Sequence, residues 1–116
     1  MKIKIFAVGG TIDKVHFDDK SLYQVGKPMI VSILNESNVT LKYDVDSILQ
    51  KDSLDMNKED RELVAKKILE DKAKRIVVTH GADTMVKTAI KVKKVLNDAK
   101  SKKTVVFTGS MTPANF

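Results

Sequence analysis

Three segments of this 116-residue chain share one layout: an apolar run with the pattern of a β-strand, followed at once by a turn rich in glycine and hydroxyls. They are KIKIFAVGGTID over Lys2–Asp13, RIVVTHGADTM over Arg75–Met85 and TVVFTGSMTP over Thr104–Pro113. In an open parallel sheet such turns all emerge at the carboxyl edge of the strands, where residues distant in sequence converge on one ligand. A functional site is expected at that edge.

The rest of the chain alternates in kind. Lys2–Val8 reads as the first strand, ended by Gly9-Gly10. Thr11 to Lys27 is polar and turn-prone without clear periodicity, and a connection of that length is more often a functional flap than a neutral linker. Pro28 suits the first turn of a short helix carrying Met29, Ile30, Ile33 and Leu34 and ending near Asn35 or Asn38. Val39–Val45 alternates as a second strand, and a polar connection from Gln50 to Met56 leads to Asn57, a good N-cap with Glu59 and Asp60 in the turn that follows. The next helix places Leu63, Val64, Ala65, Ile68 and Leu69 on one stripe. Arg75–Thr79 is a third strand, Thr84–Asn97 a helix with Ala89, Ile90, Val92, Val95 and Leu96 inward, and Lys103–Thr108 a fourth strand. Strands alternating with helices imply right-handed crossovers and a mostly parallel sheet with helices on both faces. The expected fold class is therefore α/β, a flavodoxin-like or Rossmann-like three-layer sandwich, as one domain over residues 1–116. It stops short at its carboxyl end, where another covering helix is expected; an uncovered fourth strand would favour pairing with a partner.

Composition removes several function classes. No stretch approaches the roughly 18 consecutive apolar residues of a membrane span, and Met1 leads straight into a strand pattern without a secretory signal, so a soluble cytoplasmic protein is expected, with no membrane partner. The absence of cysteine excludes disulfides, thiolate metal sites and a Cys nucleophile. The formal charge of +6 comes mainly from lysines. With two arginines and few interleaved aromatics, stacking platforms are hard to find, and a solvated surface is the plainer reading than a nucleic-acid partner. His16 and His80 are too few for a zinc site, which normally takes at least three protein ligands. Neither GxGxxG nor GxxxxGK[ST] is present, so dinucleotide and triphosphate binding lack their motifs. No metal and no cofactor are expected.

Thr11 follows two glycines at a strand end, so its hydroxyl can stand free beside backbone N–H groups able to stabilise an oxyanion. It is the best nucleophile candidate, although a threonine there can equally cap the turn. Tyr23, within the flap, is the candidate phenol base or relay. Asp83 opens a helix after the third strand; it either caps that helix or presents a carboxylate to a substrate ammonium. Ser53 is either a turn residue or a hydroxyl for a substrate carboxylate.

Taken together, these segments resemble the amino-terminal domain of the bacterial L-asparaginase family. The resemblance lies in VGGTID, in Tyr-x-Val-Gly at Tyr23–Gly26, in Asp52-Ser53-x-Asp55-Met56-Asn57, in VVTHGADTM and in VVFTGSMTP. It implies an α/β fold and hydrolysis of the side-chain amide of L-asparagine to aspartate and ammonia by a threonine nucleophile, without metal or cofactor. Carried over by position, Thr11 resembles the attacking threonine and Tyr23 the flap tyrosine. Ser53 resembles the serine on the substrate α-carboxylate, and Asp83 the aspartate at the substrate's amino end. Gly10, Leu54, Gly81 and Ala82 complete the implied substrate-binding set. Ala82 stands where the family pattern Thr-His-Gly-Thr-Asp-Thr has its second threonine, Leu54 where a polar residue is common, and the family's lysine lies beyond the last shared motif. The resemblance also implies a homo-oligomer, dimer or tetramer. Its alternative, with Ala82 in view, is a catalytically weak or inactive amino-acid-binding domain of the same fold.

Overall fold

The computed structural model describes residues 2–16, 23–25, 28–37 and 40–110, with positions 11, 14–16 and 23–25 described by backbone alone. Strand β1 (Lys2–Gly9) is buried along its second half, from Ile5 onward. That matches its near-continuous apolar run, the signature of a strand covered on both faces. It lies between β4 (Lys42–Lys51) and β5 (Arg75–Thr79), and β6 (Thr104–Thr108) pairs with the far side of β5. All three pairings are parallel, giving the order β4-β1-β5-β6, which is the flavodoxin-like order over the strands present. A separate antiparallel pair, β2 (Lys14–His16) with β3 (Tyr23–Val25), stands after β1.

The connections run in opposite senses from the centre. The first crossover, through α1 (Ile30–Glu36), moves from β1 to β4. The second and third, through α2 (Lys58–Glu70) and α3 (Met85–Asp98), move from β4 to β5 and on to β6. Right-handed crossovers therefore put α1 on one face and α2 with α3 on the other. The main core forms on the latter: Phe6 and Val8 of β1 with Ile76 and Val78 of β5 meet Val64, Ala65 and Ile68 of α2 and Val92 and Leu96 of α3. Ile5, Ala7, Ile12 and Ile30 are also buried but stand outside that cluster, as residues of the opposite pleat and of the α1 side would. Each buried Val, Leu, Ile or Phe side chain here contributes about 1.5–3 kcal/mol before entropy is counted, and the alanines less. Val106, on the edge strand β6, remains 54% exposed.

Several elements depart from the sequence-based expectations. The second strand extends to Lys51, well past Val45, and Val39 lies outside the described residues. As an edge strand, β4 carries Asp44 and Asp46 toward Lys2 and Lys4 at 2.9 and 2.5 Å, so it lacks the apolar run that marks a buried strand. It also holds two extra residues against β1 where the pairing passes from Ala7↔Ser47 to Gly9↔Lys51. The stretch after Thr11 is not wholly irregular: it contains a one-turn 3-10 helix, Thr11–Asp13, and the β2–β3 pair. Strands of three residues are too short to show a period. α1 begins at Ile30, after Pro28. On α2, Leu63 faces outward, and on α3 Ile90 is exposed while Thr88 is buried. Thr88, Val92 and Leu96 are spaced by four, which defines the inward stripe. Asn57 caps α2 as expected, in a reciprocal box: its side chain accepts from Asp60 N, and Asp60 accepts from Asn57 N.

At the amino edge of the sheet, Lys103 Nζ donates to the carbonyls of Ile68 and Asp71. It thereby satisfies carbonyl groups that the end of α2 leaves without helical partners.

Candidate active site

The carboxyl edge of β1 is a glycine construction. Gly9 and Gly10 have φ of 114° and 92°, values costly for any residue with a Cβ. Gly10 N donates to Lys51 O at 2.9 Å, and Asp13 N donates back to Gly10 O at 3.1 Å, which closes the turn carrying Thr11.

Two further segments press against this turn. A Cβ on Gly10 would lie 2.5 Å from Gly81 N, and one on Gly81 would lie 2.6 Å from both Cβ and Oγ of Ser53. The backbones of the β1 turn, the β5 turn and the Ser53 turn are thus in direct van der Waals contact. Gly109, after β6, joins them: a Cβ there would collide with His80 O. The convergence expected from the three strand-turn segments is present, with the Ser53 turn as a fourth member. In an open α/β sheet the crevice lies where the strand order reverses, and here that point is between β1 and β5.

Ser53 starts a one-turn 3-10 helix, Ser53–Asp55, whose N-cap Asp52 accepts from Leu54 N at 3.2 Å. Thr84 Oγ1 donates to Ser53 O at 2.9 Å and ties this turn to the β5 turn. The Ser53 side chain is 1% exposed, and its Oγ has no hydrogen-bond partner among the described residues. A buried hydroxyl without a partner costs on the order of 1–3 kcal/mol, so this group is held ready for one. Thr79 Oγ1, at the end of β5, is in the same condition.

Ala82 and Asp83 lie on a one-turn 3-10 helix, Ala82–Thr84, and both are exposed. Asp83 is not the cap of α3. The N-cap is Thr84, which makes no side-chain capping bond because its hydroxyl is engaged with Ser53. The inserted 3-10 turn moves the helix start past Asp83. Leu54 is 71% exposed beside Ser53. The structure therefore brings together Gly10, Gly81, Ser53 and, adjoining them in sequence, Leu54, Ala82 and Asp83. The hydroxyls of Thr11 and Tyr23 lie outside the described atoms. The backbone puts Thr11 directly after Gly10 and pairs Tyr23 with His16.

Three groups escaped the sequence reading. His80 is fully buried, with Nδ1 2.8 Å from Gly81 O and Nε2 2.8 Å from Thr88 Oγ1. A carbonyl can only accept, so Nδ1 carries the proton and Nε2 accepts from Thr88. Burial holds its pKa below the usual 6.5, and the ring stands edge-on to Phe107 at 6.1 Å. His80 is a neutral brace between the β5 turn and α3, and no local sequence pattern signals its Thr88 partner eight residues on. Thr84 is the second group. The third is Asp13, 2% exposed, whose Oδ1 accepts from Met29 N at 2.8 Å. Burial pushes its carboxyl up to about 6, against the opposing effect of the Met29 N–H.

Lys51, whose carbonyl accepts from Gly10 N at this edge, has its ammonium engaged elsewhere. Lys51 Nζ is 2.9 Å from Asp60 Oδ2 and holds that carboxyl below its ordinary range. Lys72 lines a cavity of about 580 Å³ with Lys2, Lys4, Asp44 and Asp71, at the amino edge and away from the glycine cluster. No group of three or more His, Cys, Asp or Glu residues among those described is arranged to hold a metal ion. No helix among them is long and apolar enough to cross a membrane.

The family model described as "Asparaginase, N-terminal" matches residues 2–116. Three similar solved structures cover nearly all of the chain. The thermostable L-asparaginase from Thermococcus kodakarensis has a TM-score of 0.74 and 25% identity, over 100% of this chain and 36% of that one. L-asparaginase I from Vibrio cholerae O1 biovar eltor str. N16961 has a TM-score of 0.74 and 29% identity, over 97% and 35%. A probable cytoplasmic L-asparaginase from Campylobacter jejuni has a TM-score of 0.73 and 28% identity, over 99% and 34%. The chain thus spans about a third of the length of these structures. No curated protein matches its sequence.

Proposed function

The chain belongs to the asparaginase family, matching its amino-terminal domain, and from that premise we propose that it is an amidohydrolase domain acting on the side-chain amide of L-asparagine. Thr11 Oγ attacks the amide carbon while its proton passes to Tyr23 as base or relay. The tetrahedral oxyanion is stabilised by backbone N–H groups of the glycine turn. Ammonia leaves with a proton returned by the relay, and water then cleaves the Thr11 ester to release aspartate. Ser53 holds the substrate α-carboxylate and Asp83 its ammonium, while Gly10, Leu54, Gly81 and Ala82 form the walls.

The observation that carries this reading is the Ser53 hydroxyl: buried, without a partner among the described residues, and pressed against Gly81 two residues before Asp83. A donor next to a carboxylate is the pairing that an α-amino acid zwitterion requires. The reading also carries self-association into a dimer or tetramer, supported by the edge position and exposure of Val106 on β6.

The test is ammonia release from L-asparagine, with Thr11→Ala as control. Turnover abolished in Thr11→Ala supports the amidohydrolase. If neither protein releases ammonia but aspartate still binds, the chain is a binding domain of the same fold, and Ala82 is its first explanation.

A further inference from the structure

We propose that Asp13 is a positioning residue: its carboxylate ties the Thr11 turn to the start of α1 and thereby sets where Tyr23 stands relative to Thr11. The roles of Thr11 and Tyr23 rest on the reading above; the tie itself rests on geometry.

Among the described residues the β2–β3 pair forms no strand pairing with the main sheet. Two short strands alone are marginally stable in water, so the placement of this pair depends on how its two ends are held. One end is Asp13, the residue before Lys14, whose N–H donates to Gly10 O at 3.1 Å. The other leaves Val25 for α1, and Met29, the N-cap of α1, gives its N–H to Asp13 Oδ1 at 2.8 Å. Asp13 therefore bonds to both ends of the excursion across a separation of 16 residues. α1 has no side-chain cap of its own, so the Asp13 carboxylate takes that part from a distance in sequence.

The pairing then transmits the tie. Lys14 stands opposite Val25, Val15 opposite Gln24 and His16 opposite Tyr23. Tyr23 is thus fixed to a strand that starts directly from the Thr11–Asp13 turn. If the Met29 bond is removed, the pair is held at its Lys14/Val25 end by its two covalent connections alone, and Tyr23, opposite His16 at the other end, is displaced most. Burying a carboxyl is costly unless it is hydrogen-bonded. A bond to a charged acceptor is the stronger kind and suits a joint that must hold.

The experiment compares Asp13→Ala and Asp13→Asn, each in a Tyr43→Phe background so that tyrosine emission reports Tyr23 alone. Amide exchange at Met29, acrylamide quenching of Tyr23, and kcat and KM for asparagine are measured. In Asp13→Ala, Met29 exchange is expected to rise about tenfold to a hundredfold and Tyr23 quenching to increase. The kcat is expected to fall more than KM changes, because the substrate-holding residues Ser53 and Asp83 are untouched. Asp13→Asn, whose Oδ1 accepts the same bond, restores protection, quenching and most of kcat. Unchanged Met29 exchange or unchanged Tyr23 quenching in Asp13→Ala overturns the proposal, as does an Asn variant that behaves like Ala. If no protein in the series releases ammonia, the functional reading fails while exchange and quenching still decide the tie. Should Asp13→Ala not fold, Asp13→Glu displaces the acceptor by one methylene and is read by the same two signals.

Discussion

Gly10 and Gly81 lie back to back: a Cβ on Gly10 would stand 2.5 Å from the nitrogen and 2.6 Å from the Cα of Gly81. The contact brings the turn after β1, which carries Thr11, directly against the turn after β5, which carries Asp83. Because the neighbour is backbone, no rotamer change relieves the clash.

Gly10→Ala is therefore expected to be among the most damaging single substitutions in the chain. It adds a Cβ at φ of 92° and forces two turns apart, at a combined cost of about 3 kcal/mol or more. Thermal unfolding measures the loss. A melting temperature within a degree or two of wild type would mean that the two turns separate freely.

Ser53→Ala is expected to separate stability from binding. Removing a buried hydroxyl that lacks a partner among the described residues relieves an unsatisfied group, so stability should hold or rise slightly. Losing the hydrogen bond to a substrate carboxylate should weaken aspartate binding about tenfold to a hundredfold. Calorimetric titration alongside thermal unfolding checks both halves. Unchanged affinity would remove Ser53 from the site.

Ala82→Thr should increase ammonia release. Ala82 is exposed on its 3-10 turn, so the larger side chain fits, and it adds a hydroxyl able to hold water or donate a hydrogen bond, where the existing methyl does neither. A group engaged in proton transfer contributes on the order of a hundredfold to ten-thousandfold. Residues acting as a unit are strongly non-additive, so the gain depends on the others being in place. An unchanged rate in a steady-state assay would mean that Ala82 is not what limits turnover.

The central strands, the α/β class and the convergence of the turns are legible in the sequence because they depend on local signals, whereas the strand order, which differs between the flavodoxin-like and Rossmann-like alternatives, is not. An unbroken apolar run such as Ile76-Val77-Val78 marks a strand buried between neighbours, and paired glycines mark where the backbone must turn or approach closely. The full length of β4 is not legible, since an edge strand bearing Asp44 and Asp46 alternates like a solvated surface. Nor are Asp13, Thr84 and His80 legible as structural ties. Their bonds span 16 residues to Met29, 31 to Ser53 and 8 to Thr88, and no local pattern encodes such partners. Asp83 has the sequence position of a cap, but a single 3-10 turn shifts the start of α3 beyond it.

The same Asp13 leaves a signature in acid. Burial raises its carboxyl from 3.8 to about 6, so the folded chain holds this proton more tightly than the unfolded chain. The stability that protonation brings is fully present below about pH 4 and is lost as pH rises through about 6. His80 acts in the opposite sense: its pKa is lowered by burial from 6.5, so its contribution is present above that pH and declines as the pH falls. Asp60, lowered by its hydrogen bond to Lys51, keeps its contribution until the pH drops below the ordinary carboxyl range. The wild-type curve therefore mixes opposing slopes, and the difference between wild type and Asp13→Asn isolates one of them. Asn keeps the acceptor for Met29 without a charge to bury, so the variant is expected to gain on the wild type as pH rises from 4 to 7, by on the order of 2–3 kcal/mol. Urea unfolding at closely spaced pH values measures this. A difference that stays flat across the interval would mean that the carboxyl titrates at its ordinary value, and hence that the space around it is open to water.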